Sequence, residues 1–221
     1  MGAKEPLLDF WASGLPNMLH GLQVSAMLAG VSMVIGLPLG LLFCMMVMSR
    51  NRFVSALGLV IVEIGRGMPA LVILYLVYFG LPSFGILLES FPSAIIALAW
   101  NYSCYCSEIF RAGIQAVPRG QNEAGDALGL AGNITFLYVI LPQAFRSIVP
   151  ALLGQTILLF QDTSLAYTVA VSELMKEAYT FGSTSFQYLR VFVLAGLCYA
   201  VVTLPASWIT RWLERRLALS Y

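Results

Sequence analysis

Apolar positions in this chain run in long unbroken blocks, without the alternation or the three-four spacing that marks half-buried strands and amphipathic helices. Five such blocks, at 19–48, 68–88, 91–107, 147–161 and 191–210, carry no charge. Each approaches the ~17–25 residues that take a helix across ~30 Å of hydrocarbon, the fourth only if it runs on past Asp162. Between the third and fourth blocks lies a different pattern, RGQNEAGDALGLAGNITFLYVILPQAFR. Pro118 suits the first position of a helix and Gly129 the residue just past its end. Ala124, Ala127 and Leu128 share one face of that helix. Asn133 can cap a second short helix, which Pro142 disfavours continuing. The pattern predicts a helix, turn and helix outside the bilayer, too small to fold alone and oily enough to need a partner. A sixth span over 127–145 is disfavoured: Gly129, Gly132, Asn133 and Pro142 interrupt it, leaving 134–141 as its continuous apolar run.

Composition agrees with a bilayer protein. The 221 residues are 59% hydrophobic and 10% charged, with a mean hydropathy of +0.83, whereas soluble domains carry about 25% charged residues. A net charge of +1 says nothing of a polyanionic partner, and no nucleic acid is expected. The start, MGAKEPLLDFW, lacks a basic region followed by an apolar core and cleavage site, so no cleaved leader is expected. Cys44, Cys104, Cys106 and Cys198 fall in or beside the spans and read as packing residues.

Arginine placement orients the chain. Arg50 and Arg52, then Arg111, Arg119 and Arg146, then Arg211, Arg215 and Arg216 follow the first, third and fifth blocks. In short loops such residues mark the cytoplasmic side. The loop after the fourth block balances Glu173 and Glu177 against Lys176 and Arg190. The expectation is one transmembrane domain over 1–221, all-α with about five spans. Residues 1–17 would lie outside, with 118–142 and the end, 211–221, in the cytoplasm.

Polar groups at membrane depth are the candidate site. Counted from a helix start near Phe53, Glu63 lies about 15 Å and Arg66 about 20 Å along, inside the hydrocarbon. The two can pair at i, i+3 and merely lower each other's cost. Alternatively, Gly65, Gly67 and Pro69 around Arg66 and Met68 unwind the helix and free amides for a substrate carboxylate. Asn101, Tyr102 and Glu108 on the third span could face the same cavity, as could Gln161, Asp162 and Thr163 on the fourth. Glu108 also has Arg111 three residues on. Asp162 has no basic neighbour one turn away, which leaves a partner from another helix or a substrate ammonium. Gly30, Gly36 and Gly40 mark close helix packing. His20 reads as interfacial.

Catalytic machinery is not expected. Neither Lys4 nor Lys176 follows a phosphate-loop glycine, one histidine excludes a two-histidine metal helix, and no Gly-x-Ser-x-Gly elbow occurs. No metal or cofactor is expected. A carrier or channel driven by an ion gradient, with Glu63, Glu108 and Asp162 relaying protons or binding sodium, is the alternative.

The loop pattern carries a resemblance. Glu123-Ala124-Gly125, three residues, Gly129, nine residues, Val139, one residue and Leu141-Pro142 match the coupling motif of ABC importer permeases, with Gly for its second Ala and Val for its Ile. SEIFRAGIQAVPRGQNEA, LPQAFRSIVPALL and FQDTSLAY resemble the polar amino-acid uptake subfamily, most closely its glutamate/aspartate permeases. The resemblance implies an inner-membrane subunit that pairs with a second permease, identical or homologous, and with two cytoplasmic ATPase subunits. It would take its amino acid from an extracytoplasmic binding protein. The docking residues it implies are Glu123, Ala124, Gly125, Asp126, Ala127, Gly129, Leu141 and Pro142. The substrate path would run past Arg66, Gly67, Met68, Pro69, Asn101, Tyr102, Glu108, Gln161, Asp162 and Thr163.

Overall fold

In the computed structural model, residues 6–218 are described; the expected termini extend beyond them at 1–5 and 219–221. All regular structure among the described residues is helical. The first helix, α1 (Leu7–Val47), holds 41 residues and begins well before its apolar block. At ~1.5 Å per residue it is about 60 Å long, twice a hydrocarbon core.

Asn51 opens α2 (Arg52–Gly67) by accepting the Phe53 amide at 2.9 Å. Met68 and Pro69 are extended, and α3 (Ala70–Tyr75) restarts the helix before a π-helical turn at Leu76–Gly80 and a tighter turn at Leu81–Phe84. The break falls in Gly65-Arg66-Gly67-Met68-Pro69, and the two arms bend by 104°. Proline at 69 cannot donate the next ladder bond, and glycine at 65 and 67 weakens the turn before it.

The return helix α4 (Ser90–Gln115) packs along α1. Small residues allow the approach: a Cβ at Gly36 would stand 2.7 Å from Tyr102 Cδ1, and one at Gly40 2.7 Å from Cys106 Cβ. Gly30 instead faces an apolar cleft. All four cysteines are buried and free. His20 is exposed.

The connecting loop corrects one expectation. The short helix α5 (Gly120–Ala127) ends as read: Gly129 adopts φ 71°, and the Leu130 amide bonds the Gly125 carbonyl at 3.0 Å. The next helix does not stop at Pro142. It starts as α6 (Gly132–Thr135), passes through a π-helical turn at Phe136–Ile140, and continues as α7 (Leu141–Asp162). The wide turn carries the chain into proline, whose ring would otherwise strike the carbonyl four residues back. The fourth apolar element is therefore a 38-residue segment, Gly132–Val169.

A tight turn over Thr163–Val169 and left-handed Ala170 reverse the chain into α8 (Leu174–Ser185), and α9 (Tyr188–Ala218) returns along α7. Glu173, read from sequence as a balanced loop charge, is fully buried. It caps α8, accepting the Met175 and Lys176 amides, and receives bonds from Ser25 of α1 and Tyr199 of α9.

Polarity of the bundle follows from its packing. Phe10 and Met18 of α1 meet Leu174 and Val191 at one end, while Ile140, Ala144 and Ile148 meet Val117 at the other, beside α5. Three segments, α1, Gly132–Val169 and Tyr188–Leu217, are long and apolar enough to cross a membrane, and α2 with Ala70–Phe84 makes a fourth if counted as one broken span. The more polar α4 has 26 residues, enough length at ~1.5 Å each for a fifth.

Candidate functional site: a cavity at the helix break

The end of α2 leaves carbonyls without intrahelical partners. Two side chains of α4 take them. Asn101 Nδ2 donates to the Gly65 carbonyl at 2.9 Å, and the Tyr105 hydroxyl to the Arg66 carbonyl at 3.4 Å. Gly65 fits because its missing Cβ makes room for Cys104 and Trp100. The break is thus pinned to α4, and beside it opens a cavity of about 640 Å³.

Arg66, Gly67, Met68, Pro69, Asn101 and Asp162, all singled out in the sequence, line this cavity together. Four other candidates stand elsewhere. Tyr102 is buried against α1 and pairs with Thr156 at 2.8 Å. Thr163 is buried and donates to the Phe160 carbonyl. Gln161 is exposed and Glu108 lies nearer α5; neither touches the cavity. Tyr105 and Gln155 belong to the lining and were missed. Helical spacing could have found them: Tyr105 is four residues after Asn101, and Gln155 seven before Asp162.

The charges are unequally satisfied. Arg66 lies 3.5 Å from Glu63 and 3.8 Å from Glu108. Its Nε is buried with no hydrogen-bond partner among the described residues. Glu108 is gripped by Arg111 through two bonds, and Arg111 also donates to Gln115 at 2.7 Å. Asp162 makes no ion pair or side-chain hydrogen bond among the described residues.

The loop residues form a second feature. Glu123, Ala124, Asp126, Ala127 and Gly129 are exposed, Leu141 is half-buried and Pro142 exposed. Gly125 is buried: a Cβ there would stand 2.5 Å from Thr135 Cγ2. Glycine in place of the motif's second alanine lets α5 lie directly on α6.

Residues 32–219 match the model of a family described as "Binding-protein-dependent transport system inner membrane component". The chain belongs to this family. This permease is 35% identical to the arginine transport system permease protein of Bacillus subtilis, over 95% of the chain and 97% of the relative. It is equally 35% identical to a glutamate/aspartate import permease protein of Escherichia coli, over 94% and 98%. A crystal structure of an amino acid ABC transporter with histidines superposes with a TM-score of 0.91 at 33% identity, covering 97% of this chain and all of that one. The chain is an amino-acid ABC importer permease, a multi-pass inner-membrane subunit without catalysis of its own. ATP hydrolysis belongs to a separate subunit, and the family works with ATPases, a second permease and a periplasmic binding protein.

Proposed function

We propose that this permease passes a polar α-amino acid through the cavity at the α2–α3 break, with α5 in the cytoplasm docked on the ATPase. The observation that carries the reading is the gathering, in one cavity, of Arg66 from α2 and unpaired Asp162 from α7. A zwitterion offers the complementary charges: its carboxylate to Arg66 and the first amides of α3, which lack intrahelical partners, and its ammonium to Asp162. Glutamate or aspartate is the proposed cargo, on the likeness of the FQDTSLAY and SEIFRAGI segments. Relatives named for arginine carry the same α-groups in their cargo. Five spans are proposed, with the N-terminus outside and the C-terminus inside. In support, Arg50, Arg52, Arg119, Arg146, Arg215 and Arg216 gather at the α5 end.

Docking and pathway connect through packing. Glu123, Ala124, Asp126 and Ala127 form the exposed surface of α5 for the ATPase groove, as one partner of two. Gly125 on Thr135 passes displacement into α7, and Val117 against Ile140 and Ala144 links the same region to α4. Both cavity walls therefore move with the docked helix, as rigid-body switching requires. The test is uptake by the assembled importer with its binding protein and ATPase, competed by acidic, basic and amide amino acids. Asp162→Asn should raise KM at least tenfold, since a charged hydrogen bond contributes about 1.5–3 kcal/mol and each ~1.4 kcal/mol is tenfold. An unaltered KM would refute the site.

A further inference from the structure

The seam between α7 and α9 carries two cavities, one near each end of the same groove. The first, of about 310 Å³, lies at the α5 end, lined by Arg146 and Ser147 of α7 and by Glu214 and Leu217 of α9. The second, of about 270 Å³, lies deeper, where Gly30 of α1 meets Ile157 and Phe160 of α7 and Val202 and Ala206 of α9. One stripe of each helix joins them. Ser147, Pro150, Gly154 and Ile157 recur at three- and four-residue steps on α7, as do Ala206, Thr210, Glu214 and Leu217 on α9. Between the cavities, a Cβ at Gly154 would meet nothing within 4 Å, so the groove stays open there. From Ser147 to Ile157 it runs about 15 Å, half of a ~30 Å hydrocarbon core.

The two ends differ in chemistry. In the deep cavity the side-chain hydroxyls are spent: Thr203 donates to the Tyr199 carbonyl at 3.0 Å, and Thr156 is bonded to Tyr102 and to the Leu152 carbonyl. A buried water needs about two to four polar partners, so this end takes hydrocarbon. At the α5 end, Arg146 and Glu214 stand just outside the uncharged blocks of their helices, 147–161 and 191–210. Both are exposed, and neither makes an ion pair or side-chain hydrogen bond among the described residues. Trp208 and Trp212 of α9 are exposed at the same level, as amphipathic rings are where hydrocarbon gives way to head groups.

We propose that the α7–α9 groove binds one phospholipid of the leaflet on the α5 side, its phosphoethanolamine head at Arg146 and Glu214 and an acyl chain running past Gly154 into the cavity at Gly30. The phosphate pairs with Arg146 and the ammonium with Glu214, so one head group satisfies both charges. A purely anionic head would leave Glu214 facing a like charge, and a choline head has no N–H to donate to it. The length of the groove matches one leaflet, and its deep end excludes a polar occupant. The site stands apart from the amino-acid cavity, which is lined on α7 by Gln155, Leu158 and Asp162.

The test is the lipid retained by the assembled importer after exchange into mixed micelles of equal phosphatidylethanolamine, phosphatidylglycerol and phosphatidylcholine, repurification and extraction. The parent should keep phosphatidylethanolamine over either competitor by about fivefold, the upper end for an exposed ion pair. Glu214→Gln should abolish the preference over phosphatidylglycerol without lowering the total, and Arg146→Gln should lower retention of all three. Gly154→Leu fills the groove with a better helix former and should remove bound lipid from each permease. An unchanged composition in Glu214→Gln, or an unchanged amount in Gly154→Leu, overturns the site. Loss of the second permease or the ATPase from Gly154→Leu, with the lipid per permease unaltered, gives the groove to a protein partner and overturns it equally. Should Gly154→Leu fail to assemble, the two rim variants decide, since both change exposed side chains.

Discussion

Replacing Glu173 by glutamine isolates the energetics of a fully buried carboxyl. Oε2 receives the Met175 amide at 2.8 Å, Tyr199 at 3.1 Å and Ser25 at 3.2 Å, and Oε1 receives the Lys176 amide at 2.9 Å. Burial pushes its pKa up from 4.5 to about 7, against the lowering by those four donors. A carboxyl whose folded pKa lies above its unfolded value stabilises fully below the unfolded value, and that contribution is lost as pH rises through the folded one. The window is therefore 4.5 to about 7, and the difference corresponds to about 3 kcal/mol. Glutamine does not titrate, but its amide nitrogen cannot accept from a backbone N–H, which costs about 1–3 kcal/mol. Thermal unfolding of the purified complex is then expected to show Glu173→Gln less stable than the parent at pH 5, with the gap closing or reversing by pH 8. Taking the difference between the two proteins cancels other titrating groups, including neighbouring Glu177. Parallel Tm curves between pH 4.5 and 7 would refute the buried-carboxyl reasoning.

Two further outcomes follow from single contacts. Gly125→Ala adds a methyl 2.5 Å from buried Thr135; overpacking of about 1–3 kcal/mol outweighs the ~1 kcal/mol that alanine gains as a helix former, and ATPase co-purification should fall. Wild-type co-purification and Tm would show that α5 accommodates the methyl. Asn101→Leu leaves the Gly65 carbonyl at the helix break without its 2.9 Å partner, and a loss of about 1–3 kcal/mol in thermal stability is expected. A variant as stable as the parent would mean that the break is held by other contacts.

Several features were legible because they are local. The break at Met68 and Pro69 follows from proline's missing donor, with Gly65 and Gly67 weakening the last turn of α2, which nonetheless stays helical through Gly67. Gly129 ends α5 because left-handed geometry favours glycine. Gly36 and Gly40 read as packing positions and are found against α4. The reading of Pro142 as a stop failed for a related reason: propensity treats proline as a breaker, but a π-helical turn just before it removes the clash. Asn101 carries the same donors whether it meets a ligand or a carbonyl, and only the position of the broken end of α2 assigns its amide to Gly65.

By itself, then, the sequence determined that the chain lives in a bilayer, where α2 breaks and which family it resembles, because hydropathy, backbone propensity and motif spacing are properties of neighbouring residues. The tertiary structure alone decided which polar groups share a cavity and which are spent on structure. It set Asp162 beside the helix break, gave Glu108 to both Arg111 and Arg66, and drew Glu173 inward beneath Ser25 and Tyr199. The partners in those arrangements lie far apart along the chain, apart from Arg111, and the free energy of a charge depends on the neighbours that replace its water.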